Sequence, residues 1–245
     1  MQPLAPRPQV PIGFAHRGAR AERRENTIDA FVRALDLGAT GLESDAWLTA
    51  DGEVVLAHDG VTGPPWRRHA ISAQARAGLP AHIPTLAELY ATCGTGFELS
   101  VDVKDVAAFH PLLAVARAAG AAGRLWLCHP ETDQLASWRG PAGDAKLVQS
   151  TRLGRISESL EARSGFLHNA GIDALNLHRS DWNPERVTTV HHARLDAFGW
   201  DAQSPASITE LLQWGLDGVY SDHVDRLMGA INRFATTDRS TDSAT

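Results

Sequence analysis

Short apolar runs alternate with amphipathic stretches along nearly the whole chain. The first run, Ile12 to His16, predicts a strand. Between Thr27 and Leu37, Ile28, Phe31, Val32 and Leu35 fall on one helical face, and Gly38 suits the stop. Asn26 reads as the N-cap of that helix, with Asp29 three residues later. The runs LESDAWLTA and EVVLAHD flank Asp51-Gly52, a strong hairpin signal. Residues 60–82 carry no clear period. They include Gly63-Pro64-Pro65-Trp66 and Arg67-Arg68, and read as a surface loop ahead of a lid.

Ile83-Pro84-Thr85-Leu86 opens a helix to about Cys93, and Phe97 to Lys104 alternates like a strand. From there the period switches regularly. Helices at 108–119, 131–138, 158–170, 184–193 and 206–214 each precede a strand, at 124–128, 146–149, 173–177, 196–200 and 218–221. A last helix runs from about Val224 to Phe234. Strands alternating with helices predict an α/β protein with a parallel sheet, and eight such repeats close a barrel. The expected layout is a loose arm over 1–10, one domain over 11–235 with 60–82 as an insertion, and a flexible tail over 236–245.

Composition narrows the functional classes. The chain has 245 residues, 43% of them hydrophobic, enough for one large core. Its net charge is −6, and no basic patch stands out, so nucleic acid is not an expected partner. Cys93 and Cys128 form no close pair, so no disulfide is implied. The start, MQPLAPRPQV, lacks the apolar stretch of a signal peptide, and no segment approaches membrane-spanning length. A cytoplasmic protein without stable membrane insertion is expected.

The candidate chemistry is concentrated between Ala15 and Asp59. In a strand, Glu43 and Asp45 share one face, while Leu42, Ser44 and Ala46 share the other. Two adjacent carboxylates repel, and a half-buried pair needs a cation; a hard divalent metal suits oxygen ligands. A solvated edge face is the alternative. If Asp51-Gly52 is the whole turn, Ala50 pairs with Glu53 and Asp45 with His58, which puts His58 beside the carboxylates. His16-Arg17 at the end of the first strand suits phosphate chemistry, a proton shuttle beside a forked cation.

Five elements in order carry a resemblance: His16-Arg17-Gly18, Glu25-Asn26-Thr27, Glu43-Ser44-Asp45, Asp51-Gly52 and His58-Asp59. Together they resemble the glycerophosphodiester phosphodiesterase family, bacterial-type with a single domain. The segment Gly215 to Asp222 resembles the family's closing Gly-x-Asp-Gly-x-x-Thr-Asp, with Ser221 in place of threonine. The resemblance implies a (β/α)8 TIM barrel with a small insertion after the second-strand hairpin. It also implies metal-dependent hydrolysis of glycerophosphodiesters to glycerol 3-phosphate and an alcohol. His16 and His58 would act as general acid and base. Glu43, Asp45 and Asp102 would hold one Mg²⁺ or Ca²⁺, with Asp102 standing where the family has glutamate. Arg17 and Lys104 would contact the phosphate. Glu25 would brace Arg17 or approach the metal. Trp200 would line the glycerol pocket, with core packing as its alternative. Asp222 reads as structural, and among the other histidines His178 has the best placement, just after a strand. Two further readings use the same barrel: a phospholipase D-like lipid phosphodiesterase, and a non-catalytic glycerophosphate-binding protein.

Overall fold

A computed structural model describes residues 10–242, so most of the expected arm and the last three residues lie outside it. Eight strands form the wall of the barrel: β1 (Ile12–Ala15), β2 (Gly41–Leu48), β6 (Glu98–Val103), β7 (Leu125–His129), β8 (Lys146–Thr151), β9 (Ala174–His178), β10 (Asp196–Trp200) and β11 (Gly218–Ser221). Each pairs in parallel with the next, and β1 pairs with both β2 and β11, which closes the ring. Three short strands stand outside: β3 (Val54–Leu56), antiparallel to β2, and a ribbon of β4 (Val61–Thr62) with β5 (His69–Ala70).

Eight helices cover the ring: α1 (Ile28–Asp36), α2 (Leu86–Cys93), α3 (Phe109–Ala118), α4 (Thr132–Ala142), α5 (Leu160–Asn169), α6 (Pro184–His192), α7 (Pro205–Gln213) and α8 (Val224–Asp242). Outward-facing strand residues such as Leu42, Leu99, Leu127 and Leu175 pack against them in one continuous core. The last helix runs on to Asp242, well past Phe234 and into the expected tail.

The barrel interior is filled mainly by aromatics, with Cys128, Val148 and Ala174 among them. Phe14 stacks on Tyr220 with ring centroids 4.5 Å apart, and Phe198 packs against Phe14 and Trp126. Glycines make the room: a Cβ on Gly41 would come within 2.6 Å of Phe14, and one on Gly218 within 2.7 Å of Phe198. Below this plug, Glu98 accepts a hydrogen bond from Trp126 Nε1 at 2.7 Å and pairs with Arg124 and Lys146.

Two local expectations are corrected. The hairpin register is Ala46 with Leu56, Trp47 with Val55 and Leu48 with Val54, one residue off the expected pairing. Thr49 is the cause. Its N–H donates to Glu53 O, and its hydroxyl donates to Asp51 and accepts from the Glu53 N–H. That closes a loop of three residues instead of two, and parity reverses. The second correction concerns α1, whose N-cap is Thr27, accepting from Ala30 N–H. Asn26 instead takes a left-handed φ of 52°, which asparagine tolerates better than most residues, and turns its amide inward.

The insertion is ordered. Ile71, Leu79 and Ile83 bury against Val55 and Ala57, with Trp47 packed alongside. Trp66 points away from all of this, 85% exposed.

Candidate active site

Loops at the C-terminal ends of barrel strands can vary without disturbing the wall, so that end is where side chains converge for chemistry. His16 follows β1 and Asp222 follows β11. Because Ala15 pairs with Ser221, the two residues meet, with His16 Nδ1 2.6 Å from Asp222 Oδ1. The other ring nitrogen, Nε2, lies 3.8 Å from Glu43 Oε2. Burial alone would depress the imidazole's pKa, but Glu43 and Asp222 outweigh it and the value is raised. Burial likewise works against the Asp222 carboxylate, yet His16 and Arg20 hold it below its usual range.

Glu43 and Asp45 project into the barrel mouth from β2, and Asp102 projects from β6 in register with Asp45. One oxygen from each of the three lies within 4.8 Å of the others. Glu43 is 5% exposed and Asp45 1%. Arg17 N–H donates to Glu43 at 2.9 Å, and Asn26 Nδ2 donates to Asp45 at 3.1 Å. Lys104 Nζ lies 2.9 Å from Asp102 and 3.3 Å from Asp45. Arg17 Nε is 3.4 Å from Asp45 without hydrogen-bond geometry. Burial pushes the Glu43 carboxyl up; His16 opposes this, Asp45 and Asp102 add to it, and the value reaches about 8. Three carboxyl groups are thus set against Lys104, Arg17 and, at 3.8 Å, His16. The donor set is all oxygen, tightly grouped and largely dry, which fits a hard divalent cation.

A cavity of about 320 Å³ opens over this cluster, with His16, Arg17, Glu43 and Asp102 on one wall and Ser150, Asn176 and Trp200 on the other. A larger hollow, about 640 Å³, lies at the opposite end around Glu98, Trp126 and Lys146. It sits beneath the aromatic plug and away from the variable loops, so the smaller cavity is the candidate site.

The expected site residues are therefore brought together only in part. His16, Arg17, Glu43, Asp45, Asp102 and Lys104 converge, and Trp200 faces them across the mouth. His58 does not join them. With the hairpin register shifted, it lines a second, smaller cavity with Arg24, Glu25 and His82. Its ring is 43% exposed and its Nδ1 is 3.0 Å from Asp59. Glu25 lines this second cavity and is held by Arg17 at 3.1 Å and Arg20 at 3.2 Å, both of which line the first. Residues missed in the sequence include Asp222 as the partner of His16, Asn26 as a carboxylate donor, and Ser150 and Asn176 on the far wall. For Asp222 a signal was present: it stands one residue past the last strand, as His16 stands one past the first.

A family model described as the glycerophosphoryl diester phosphodiesterase family matches residues 16–89, which hold His16, Glu43, Asp45 and His58. The protein named "Probable glycerophosphodiester phosphodiesterase 2" from Mycobacterium tuberculosis is 26% identical over 88% of this chain and 89% of its own length. A higher identity, 54%, relates 46 residues to a glycerophosphodiester phosphodiesterase of Caldanaerobacter subterraneus; that match spans 19% of each chain. Among solved structures, an Oleispira antarctica phosphodiesterase in complex with the product sn-glycerol-3-phosphate has a TM-score of 0.75 at 20% identity, over 91% of this chain and 97% of that one. At that identity the likeness speaks for the shared barrel. With the family motifs in order on that barrel and one relative alike over most of its length, the chain is similar to the glycerophosphoryl diester phosphodiesterase family.

Proposed function

We propose that the protein hydrolyses glycerophosphodiesters to glycerol 3-phosphate and an alcohol, with a bound divalent cation, Mg²⁺ or Ca²⁺. The observation that carries this is the convergence of His16, Arg17 and three buried or half-buried carboxylates at one barrel mouth. Relatives named for this activity, and a related barrel that holds sn-glycerol-3-phosphate, support it. Glu43, Asp45 and Asp102 would hold the cation, which supplies positive charge against the phosphodiester and a hold on the glycerol oxygens.

The chain's own groups divide the rest. Arg17 presents a planar fork to the phosphate and Lys104 a point charge. Asp222 fixes Nδ1 of His16, so Nε2 is the nitrogen free to exchange a proton at the mouth. A phosphate drawn to Arg17 competes with Glu25 for the guanidinium. Release of Glu25 moves a wall of the His58 cavity, and His58 then serves as the second acid–base group. The glycerol 2-hydroxyl attacks phosphorus as one histidine takes its proton; the P–O bond to the alcohol breaks as the other protonates it. Water then opens the resulting cyclic phosphate to glycerol 3-phosphate.

The test is release of glycerol 3-phosphate from glycerophosphoglycerol, glycerophosphocholine and the 2-deoxyglycerol analogue, with and without chelator. Turnover should vanish with chelator, return with Mg²⁺ or Ca²⁺, and be negligible for the deoxy analogue. Chelator-resistant turnover would remove the cation, and equal turnover of the deoxy analogue would remove the cyclic route.

A further inference from the structure

The wall that faces the carboxylates is polar but almost uncharged. In the ring of strands, β8 and β9 stand opposite β1 and β2. Ser150 and Asn176 are register partners on β8 and β9, and both line the cavity. Asn176 is 4% exposed. Its Nδ2 donates to Ser150 Oγ at 3.2 Å, but its Oδ1 has no donor. A buried carbonyl oxygen without a donor is unfavourable unless something completes it. Next to it Trp200 lines the cavity, and Asp201 is held at the rim in a left-handed conformation, φ 66°.

Aromatic ring, amide, hydroxyl and carboxylate together suit two kinds of alcohol: a polyol, or an amino alcohol bearing a cation. The surrounding charges separate them. Arg152 lies 5.8 Å from the Trp200 ring centroid, so this ring already has a cation beside it. Asp201 is already matched by His178 at 3.0 Å, with Arg179 at 3.9 Å and the Gln203 amide at 3.2 Å. A second cation entering here would compete with groups already on Asp201 and Trp200, and a second anion meets Asp201. A neutral group with several hydroxyls can donate to Asn176 Oδ1 and accept from Ser150 while its carbon face rests on Trp200.

We propose that Ser150, Asn176 and Trp200 form the recognition site for the alcohol esterified on the far side of the phosphate, and that this alcohol is a neutral polyol. The proposal rests on the reading of the site as a glycerophosphodiester hydrolase, with glycerol at the carboxylates.

The experiment compares kcat/KM for glycerophosphoglycerol and glycerophosphoinositol with that for glycerophosphocholine, in the wild type and in Asn176→Leu and Ser150→Ala. The wild type should favour the polyol diesters by at least about tenfold, because a site built around hydroxyls discriminates against a ligand lacking them. Each variant should reduce that ratio at least about fivefold. If Asn176→Leu does not fold, the wild-type preference and Ser150→Ala, at a half-buried position, decide the matter. A wild-type preference for the choline diester, or variants that lower all diesters equally, would overturn the proposal while leaving the hydrolase reading intact. Absence of turnover on every diester would remove both.

Discussion

One hydrogen bond of 2.6 Å decides how His16 presents itself. With Asp222 on Nδ1, the ring cannot swing away from the mouth without breaking a charge-assisted contact. His16→Ala should cut turnover at least about 100-fold, the lower end for loss of a general acid or base, with circular dichroism unchanged. The same loss is expected for His58→Ala, whose ring stands in the neighbouring cavity; a variant that keeps most of its turnover reassigns that histidine to structure. Asp102 is one methylene shorter than the family's glutamate and already shares Lys104 with Asp45. Asp102→Asn should weaken Mg²⁺ or Ca²⁺ binding by at least about tenfold in a calorimetric titration. Unchanged affinity would take Asp102 out of the ligand set.

At the scale of elements, caps and turns settle what periodicity leaves open. Helix α2 begins with a reciprocal pair: Thr85 Oγ1 accepts from Glu88 N–H at 3.0 Å, and Glu88 accepts from Thr85 N–H at 2.7 Å. Thr85→Ala should cost about 1 kcal/mol in denaturant unfolding. The Thr85 N–H lowers the Glu88 pKa despite partial burial, with Arg76 adding to it. A depressed carboxylate contributes above its unfolded value and loses that contribution as pH falls through its folded one. The stability gap between wild type and Glu88→Gln should therefore be full above about pH 5 and shrink in more acidic solution. Strand and helix order was legible because short apolar strands, buried on both faces, alternate with longer amphipathic helical stretches. The hairpin register was not, since it turns on the Thr49 side chain closing the loop, which no alternation pattern encodes. The same shift removed His58 from the expected cluster. Glu43, Asp45 and Asp102 were legible as inward-facing positions on their strands. Asn176 was not, because its importance comes from an opposite wall that exists only once the ring closes.

At the scale of the molecule, the ring orders everything else. No helix among the described residues is long and apolar enough to cross a membrane. Among the described residues, the ring has no open edge of its own; the appended β3 is the sheet's free margin, and that strand is tied to Thr85 through a bridge at Val55. The packed aromatics Phe14, Tyr220, Phe198 and Trp126 fill the interior between the two hollows. Among the described residues, the aromatic plug closes the barrel floor, so the candidate cavity opens at the C-terminal mouth. Whatever leaves must pass back through the opening by which it came, and a spent molecule that lingers there bars the next arrival. Glycerol 3-phosphate should accordingly inhibit in competition with the diester, raising KM without lowering the limiting rate in steady-state assays. A noncompetitive pattern would mean that glycerol 3-phosphate also binds when the diester is already in place, away from this opening.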